Sequence, residues 1–325
     1  MINQITWGIL GCGDVTEVKS GPAFNKVKNS SLIAVMRRDA AKAEDYARRH
    51  NVPKWYSNAD DLINDPDINT IYIATPPASH EEYTIKALKA GKNVYVEKPM
   101  SLSEAGCLRM LAVAQETGNK LSVAHYRRAM PFFEKINELI EDNIIGDINC
   151  VNLKMMQGSE NTIITQTDDN WRLNPALSGG GLFHDLAPHQ IDMMYYLFGS
   201  VKKALGLSVN KSRQSEAHDM VAGQILFEND ILFNGLWCFN NHQAENLDLC
   251  EIIGTKGKIS FAFFGQIKIT INSGGSEKVV EIPNPAHVQQ PMIEKVVKYF
   301  LDEEDNPCSG AEGAEILRIM DLFTS

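Results

Sequence analysis

The sequence predicts an α/β protein: a doubly wound, mostly parallel sheet, then an α+β domain built on a large, open, mainly antiparallel sheet. Three observations carry that prediction. Short apolar strands alternate with helices over residues 1–124, with connections of a few residues, the order that builds a parallel sheet. The alternation stops near Ala124. From Val201 to Ile282 strand follows strand, with hairpin-type turns at Glu228-Asn229-Asp230 and Gly254-Thr255-Lys256-Gly257. The 325 residues, 44% hydrophobic and 22% charged, suit two globular domains, expected at 1–124 and 125–325.

Ile5 to Leu10 reads as the first strand and runs into Gly11-Cys12-Gly13, with helix-compatible sequence from about Val15. Glycines at such a turn let the backbone approach a pyrophosphate, and the following helix start adds amides and positive dipole. The pattern G-x-G-x-x-G is not met, because Thr16 stands at the third glycine. Leu32 to Met36 is the second strand, about twenty residues on, as a βαβ unit requires. It leads into Arg37-Arg38, with Lys42 one turn later, where an NAD-binding chain often carries an acid. A guanidinium clamps a 2′-phosphate that a carboxylate would repel, so the pair favours NADP(H) over NAD(H). A solvated basic loop is the plainer alternative.

A helix over Ala40 to His50, a strand near Lys54-Trp55-Tyr56 and a short helix over Ala59 to Asn64 come next. The strand Ile68 to Ala74 ends at Thr75-Pro76-Pro77. Ser79 is expected to cap a helix to Ala90, which Gly91 stops. Asn93-Val94-Tyr95-Val96-Glu97-Lys98-Pro99 then reads as a short buried strand ended by Pro99, expected to run to Lys98. Lys98, Thr75 and Pro76 thus fall at the carboxyl ends of parallel strands, where such sheets bind ligands. Ser103 caps a helix to about Thr117, ended by Gly118, and Lys120 to Ala124 is the last strand of the series.

His125-Tyr126-Arg127-Arg128 leads to a helix beginning at Pro131, and a strand runs from Ile148 to Met156. Residues 158–170 are polar and carry no pattern; they read as a loop over the site. After Trp171-Arg172-Leu173 come Gly179-Gly180-Gly181 and then Asp185, His189 and Asp192. Asp185 and His189 are four apart and share a helix face, with Pro188 either kinking that helix or marking its first turn. Histidine suits proton transfer near neutral pH, and a neighbouring carboxylate orients it. A pair kept for helix stability alone is the plainer reading. His184 takes a structural reading, and His287 ranks below His189. No metal site is expected, since neither H-E-x-x-H nor a cysteine ligand pair occurs. Phe227, Phe233, Trp237, Phe239, Phe261, Phe263 and Phe264 are more aromatic side chains than one sheet face readily hides; most are expected in the core, and the excess suggests self-association through that sheet. Two helices, over Gln289 to Leu301 and Ala311 to Phe323, close the chain.

The net charge of −10 argues against nucleic acid as the main partner. No 18-residue apolar run is present, so no membrane partner is expected, and the amino terminus lacks the pattern of a signal peptide. Six scattered cysteines fit reduced thiols in a cytoplasmic protein.

The glycine turn, Glu97-Lys98-Pro99, and the glycine-rich stretch before Asp185-x-x-x-His189-x-x-Asp192 occur in one order and spacing. Together they make the chain resemble the Gfo/Idh/MocA family, glucose–fructose oxidoreductase, inositol dehydrogenase and relatives, over essentially its whole length. Trp171-Arg172-Leu173-Asn174-Pro175 and the basic pair resemble most the NADP-using sugar reductases, such as 1,5-anhydrofructose reductase. The resemblance implies a Rossmann domain, a C-terminal α/β domain whose sheet makes a homodimer or homotetramer, and hydride transfer between nicotinamide and a sugar or cyclitol carbon. It implies Lys98, Asp185 and His189 as the catalytic set, with Lys98 on the reacting oxygen, His189 as acid/base and Asp185 orienting it or binding substrate. Cofactor contacts are expected from Gly11, Cys12, Gly13, Asp14, Val15, Arg37, Arg38, Lys42, Thr75, Pro76, Glu97 and Lys98, and substrate contacts from Tyr126, Trp171 and Arg172. Some relatives retain the nicotinamide to cleave glycosides by oxidation and elimination. A non-catalytic NADP(H) sensor is the third alternative, although a sensor does not need the Lys98, Asp185 and His189 set.

Overall fold

The computed structural model describes residues 3–158, 171–213, 215–265 and 267–325. They form two compact units. The first holds the chain up to Met130 together with Pro285–Leu317, and the second holds Pro131–Asn284 and Arg318–Ser325.

In the first unit, strands and helices alternate: β1 (Ile5–Leu10), α1 (Asp14–Val18), β2 (Ser30–Met36), α2 (Ala40–His50), β3 (Lys54–Tyr56), α3 (Ala59–Ile63), β4 (Thr70–Ile73), α4 (His80–Lys89), β5 (Asn93–Val96), α5 (Glu104–Thr117) and β6 (Leu121–Val123). The strand order is β3-β2-β1-β4-β5-β6, with every pair parallel. The order reverses between β1 and β4, so the crevice beyond their carboxyl ends is the expected ligand site. Every residue of β4 and β5 is buried, as a parallel sheet covered on both faces demands. Asp39 caps α2 through the Lys42 amide, and Ser103 caps α5 through the Gly106 amide.

Two local expectations, the Ser79 cap and the Lys98 end of β5, are corrected. α1 has only five residues and gives way to a 3-10 turn, Gly21–Ala23. Pro22 brings no N–H and disfavours helical backbone in the residue before it, and a Cβ on Gly21 would run into the Tyr46 hydroxyl and the Thr16 carbonyl. Ser79 does not cap α4; its hydroxyl lies 2.8 Å from Thr75 Oγ1 and 3.0 Å from the Pro76 carbonyl. β5 ends at Val96, two residues before Lys98.

The second unit begins with α6 (Pro131–Glu141) and β7 (Ile148–Gly158). α7 (Pro175–Ser178), α8 (Gly181–Phe198) and β8 (Val201–Val209) follow the residues outside the description. The remaining strands are β9 (Met220–Phe227), β10 (Leu232–Asn241), β11 (Leu247–Gly254), β12 (Gly257–Phe261), β13 (Lys268–Ser273) and β14 (Ser276–Glu281). Their order is β14-β13-β12-β11-β7-β10-β9-β8. All pairs are antiparallel except β7 with β10, so β7 splits what would otherwise be a meander. One sheet face is core: the Trp237 ring packs 5.2 Å from Phe183 of α8 and 6.1 Å from Phe323. The aromatic residues lie in the core, as expected for most of them, and no excess is left for the surface. Phe227, Phe233, Trp237, Phe239, Phe261 and Phe263 are all buried, and Phe264 is half-buried. The opposite face instead exposes aliphatic side chains along β8: Leu205, Leu207 and Val209.

The last helices are α9 (Gln290–Phe300) and α10 (Gly310–Thr324). A single boundary after Ala124 was expected, but 125–130 and 285–317 group with the first unit. The reason is an edge to be covered. β6 is the last strand of the parallel sheet, and the returning chain pairs with it. Val123 N donates to the Cys308 carbonyl at 3.0 Å, Asn306 Nδ2 to the Leu121 carbonyl at 2.8 Å, and Lys120 Nζ to the Tyr299 carbonyl at 2.6 Å. Among the described residues no helix is long and apolar enough to cross a membrane.

Candidate active site

The glycine turn of the first unit is built by close approach. Gly11 has φ +90°, and a Cβ there would lie 2.9 Å from the Thr75 amide nitrogen. Glycine is therefore required both by backbone and by the passage of the loop after β4. The amides of Gly11 and Cys12 donate to the Met36 carbonyl at 2.9 and 3.1 Å. Gly13 is different: a Cβ would meet nothing closer than the Gly11 carbonyl, at 4.0 Å. The surface over Gly13 is an open cradle that a side chain would fill, and it fits a pyrophosphate lying against the turn leading to Asp14 and Val15. Thr16, at the missing third glycine, is fully buried; its hydroxyl donates to the Gly13 carbonyl at 2.7 Å and its carbonyl accepts from Tyr46 Oη at 2.7 Å. The side chain closes the turn by hydrogen bonds where glycine would close it by size. Burial pushes the Cys12 thiol up to about 11, so it stays protonated.

The basic residues after β2 divide. Arg37 turns back, Nη1 donating to the Cys12 carbonyl at 3.3 Å, whereas Arg38 and Lys42 are exposed.

Beyond β5 the Lys98–Pro99 peptide is cis. Lys98 is half-buried, and its amide donates to Glu97 Oε2 at 3.2 Å. Glu97 Oε1 accepts from Tyr72 Oη at 2.6 Å and from Gln289 Nε2 at 2.8 Å. The Glu97 carboxylate is thus held inside the first unit, where it fixes the start of the Lys98 loop. Tyr126 is buried in a 3-10 turn, with the Arg127 guanidinium 5.4 Å from its ring. Two residues of this rim escaped sequence reading: Gln289, far along the chain, and His80, which is fully buried against the Thr75 and Pro99 carbonyls. Burial pushes the His80 imidazole down to about 4. Its only signal in sequence is its place five residues after Thr75, at a helix start.

In the second unit α8 runs unbroken through Pro188, which therefore sits inside the helix and not in its first turn. Three glycines place it. Gly179 ends α7 at φ +91°, a Cβ on Gly180 would strike the His184 ring, and one on Gly181 would strike Ala217. Asp185, His189 and Asp192 are spaced four and three residues apart along one side of α8. Arg172 Nε donates to Asp185 Oδ2 at 3.2 Å, with both side chains under one-fifth exposed, and its guanidinium lies 4.6 Å from the Trp171 ring. Asp185 is thus held from outside the helix, one turn before His189. His189 is 7% exposed, with its ring 5.9 Å from that of Phe264. His184 is buried, which pushes its imidazole down to about 4. His287 is occupied elsewhere: Nδ1 lies 2.6 Å from the Val18 carbonyl and Nε2 2.6 Å from Lys26 Nζ, which puts the proton on Nδ1. Among the described residues no group of three His, Cys, Asp or Glu is placed to hold a metal ion. Residues 159–170, read as a loop over the site, lie outside the described residues.

A parallel sheet with a glycine turn at its switch point has the form of a dinucleotide-binding fold. Residues 5–125 match the model of an oxidoreductase family with an NAD-binding Rossmann fold, and residues 133–260 match the GFO/IDH/MocA C-terminal domain. Oxidoreductase P35 of Formosa agariphila is 46% identical over 323 residues, covering 99% of each chain. The trans-1,2-dihydrobenzene-1,2-diol dehydrogenase of Mus musculus is 30% identical over 67% of this chain and 63% of its own. Among solved structures, the aldose-aldose oxidoreductase of Caulobacter crescentus superposes with a TM-score of 0.86 at 23% identity, over 98% of this chain and 96% of that one. A levoglucosan dehydrogenase, solved with NADH and levoglucosan, gives 0.86 at 22% identity over the same shares. The chain belongs to the Gfo/Idh/MocA family of oxidoreductases.

Proposed function

We propose that the protein reduces a sugar-type carbonyl with NADPH and runs the reverse oxidation of the matching hydroxyl. The observation that carries this reading is Lys98 at the carboxyl end of β5, its amide anchored by Glu97, on the rim that also bears the glycine turn. The sugar class is supported by the similarity in fold to an aldose-aldose oxidoreductase and a levoglucosan dehydrogenase. When bound, the nicotinamide supplies or accepts the hydride. Lys98 stabilises negative charge on the reacting oxygen. His189 gives that oxygen its proton in reduction and removes it in oxidation. Asp185, held by Arg172, positions the imidazole, and Trp171, Arg172 and Tyr126 contact the substrate. A panel of sugars and cyclitols read at the nicotinamide absorbance tests the reading. Net oxidation of NADPH is expected; substrate cleavage without net redox change would replace it with a retained-cofactor glycosidase, and no turnover at all with a sensor.

The choice of NADPH rests on Arg38 and Lys42, exposed beyond β2, with Asp39 engaged in capping α2. Each charge-assisted bond to a 2′-phosphate is worth about 1.5–3 kcal/mol. Fluorescence titration is expected to show NADPH binding at least about tenfold tighter than NADH, since 1.4 kcal/mol is a factor of ten. Arg38→Glu should abolish that difference, and tighter NADH binding by the wild type would overturn the assignment.

The aliphatic stripe of Leu205, Leu207 and Val209 on the open sheet face supports a second copy of the chain as partner, in a dimer or tetramer. Sedimentation at the mass of one chain would contradict it. Six free cysteines support a cytoplasmic location.

A further inference from the structure

His80 opens α4 with no exposed surface. Its ring stands between two main-chain carbonyls that belong to different loops. Nε2 is 2.7 Å from the Thr75 carbonyl in the loop after β4, and Nδ1 is 2.9 Å from the Pro99 carbonyl in the loop after β5. The first loop presses on the glycine turn, for a Cβ on Gly11 would lie 2.9 Å from the Thr75 amide nitrogen. The second loop carries Lys98. The neutral ring donates to one of these carbonyls and packs against the other, so it lies in contact with both loops.

We propose that His80 is a positioning residue, whose imidazole, packed between the Thr75 and Pro99 carbonyls and donating to one of them, holds the loop after β5 against the loop after β4 and so fixes Lys98 relative to the cofactor-binding turn. The Lys98 region is then bounded on two sides, its amide by Glu97 and the next residue by the His80 ring. The assignment rests on the proposed roles of the glycine turn and Lys98. A shift of about 1 Å in a reacting group costs on the order of 10²-fold in rate, which is what such a spacer prevents.

Two variants test it. His80→Leu keeps an apolar body of similar size and removes both ring nitrogens; His80→Gln restores an amide that can donate two hydrogens. Hydrogen exchange over residues 74–79 and 97–101, NADPH titration and thermal melting are read together. In the leucine variant, exchange is expected to rise about tenfold in both segments at once while α2 and β2 keep wild-type protection. NADPH binding weakens about tenfold, roughly 1.4 kcal/mol, and glutamine recovers part of each loss. Loosening of neither segment, of one alone, or equal behaviour of the two variants would overturn the proposal. If the leucine variant does not fold, the glutamine variant decides: joint loosening of both segments by less than about tenfold, with α2 and β2 at wild-type protection, supports the proposal, and loosening of one segment alone or of neither overturns it. Failure of the wild type to bind either nicotinamide would overturn the cofactor reading, and the exchange data would still decide the role of His80.

Discussion

Replacing Lys98 with methionine is expected to lower kcat by about 10²–10³-fold, the range found when one preorganised electrostatic donor is removed. NADPH binding should stay within about threefold of wild type, well under the tenfold that 1.4 kcal/mol represents. Methionine keeps an unbranched apolar stem of similar reach, so it removes the ammonium and little else. The backbone at this position is held independently of that charge, through the Glu97 carboxylate and its partners Tyr72 and Gln289. A loss confined to kcat therefore reports stabilisation of charge on the reacting oxygen. A rise in KM for NADPH with kcat unchanged would instead make Lys98 a cofactor-binding residue.

His189→Ala is the second large effect. The expected fall in kcat is about 10²–10⁴-fold, the contribution of a positioned acid/base. The variant should also lose the limb of the pH–rate profile that belongs to the imidazole. Alanine is the best helix former, so α8 is not disturbed by propensity. The structural losses include the edge contact with Phe264, worth about 0.5–1.5 kcal/mol. In the unit Pro131–Asn284 with Arg318–Ser325, loss of that contact alone lowers the melting temperature by only a few degrees, at about 2–4 °C per kcal/mol for 150–250 residues. An unchanged pH profile with full turnover would remove His189 from the chemistry.

Much of this architecture could be read from local pattern. The Gly11-Cys12-Gly13 turn, the caps at Asp39 and Ser103 and the left-handed stops at Gly91 and Gly118 are consequences of residues within a few positions of each other. So is the alignment of Asp185 with His189 along α8. What could not be read depends on partners distant in the chain. The apolar face of α9, from Met292 to Phe300, is compatible with packing on any sheet, and nothing local says that it returns to cover the first one. The insertion of β7 between β10 and β11 is likewise a matter of pairing, not of periodicity. Gln289 joins Glu97 across 192 residues. The number of aromatic residues in the antiparallel sheet suggests an excess beyond the core, but helices on one face absorb nearly all of them.

The central claim is hydride transfer from nicotinamide to a sugar-type carbonyl, and NADPH carrying deuterium at both C4 positions tests it most directly. With an accepted substrate from the panel, the account predicts one deuterium on the reduced carbon of the product and one equivalent of NADP⁺ formed. Product without deuterium, or turnover that leaves NADPH unconsumed, would contradict it.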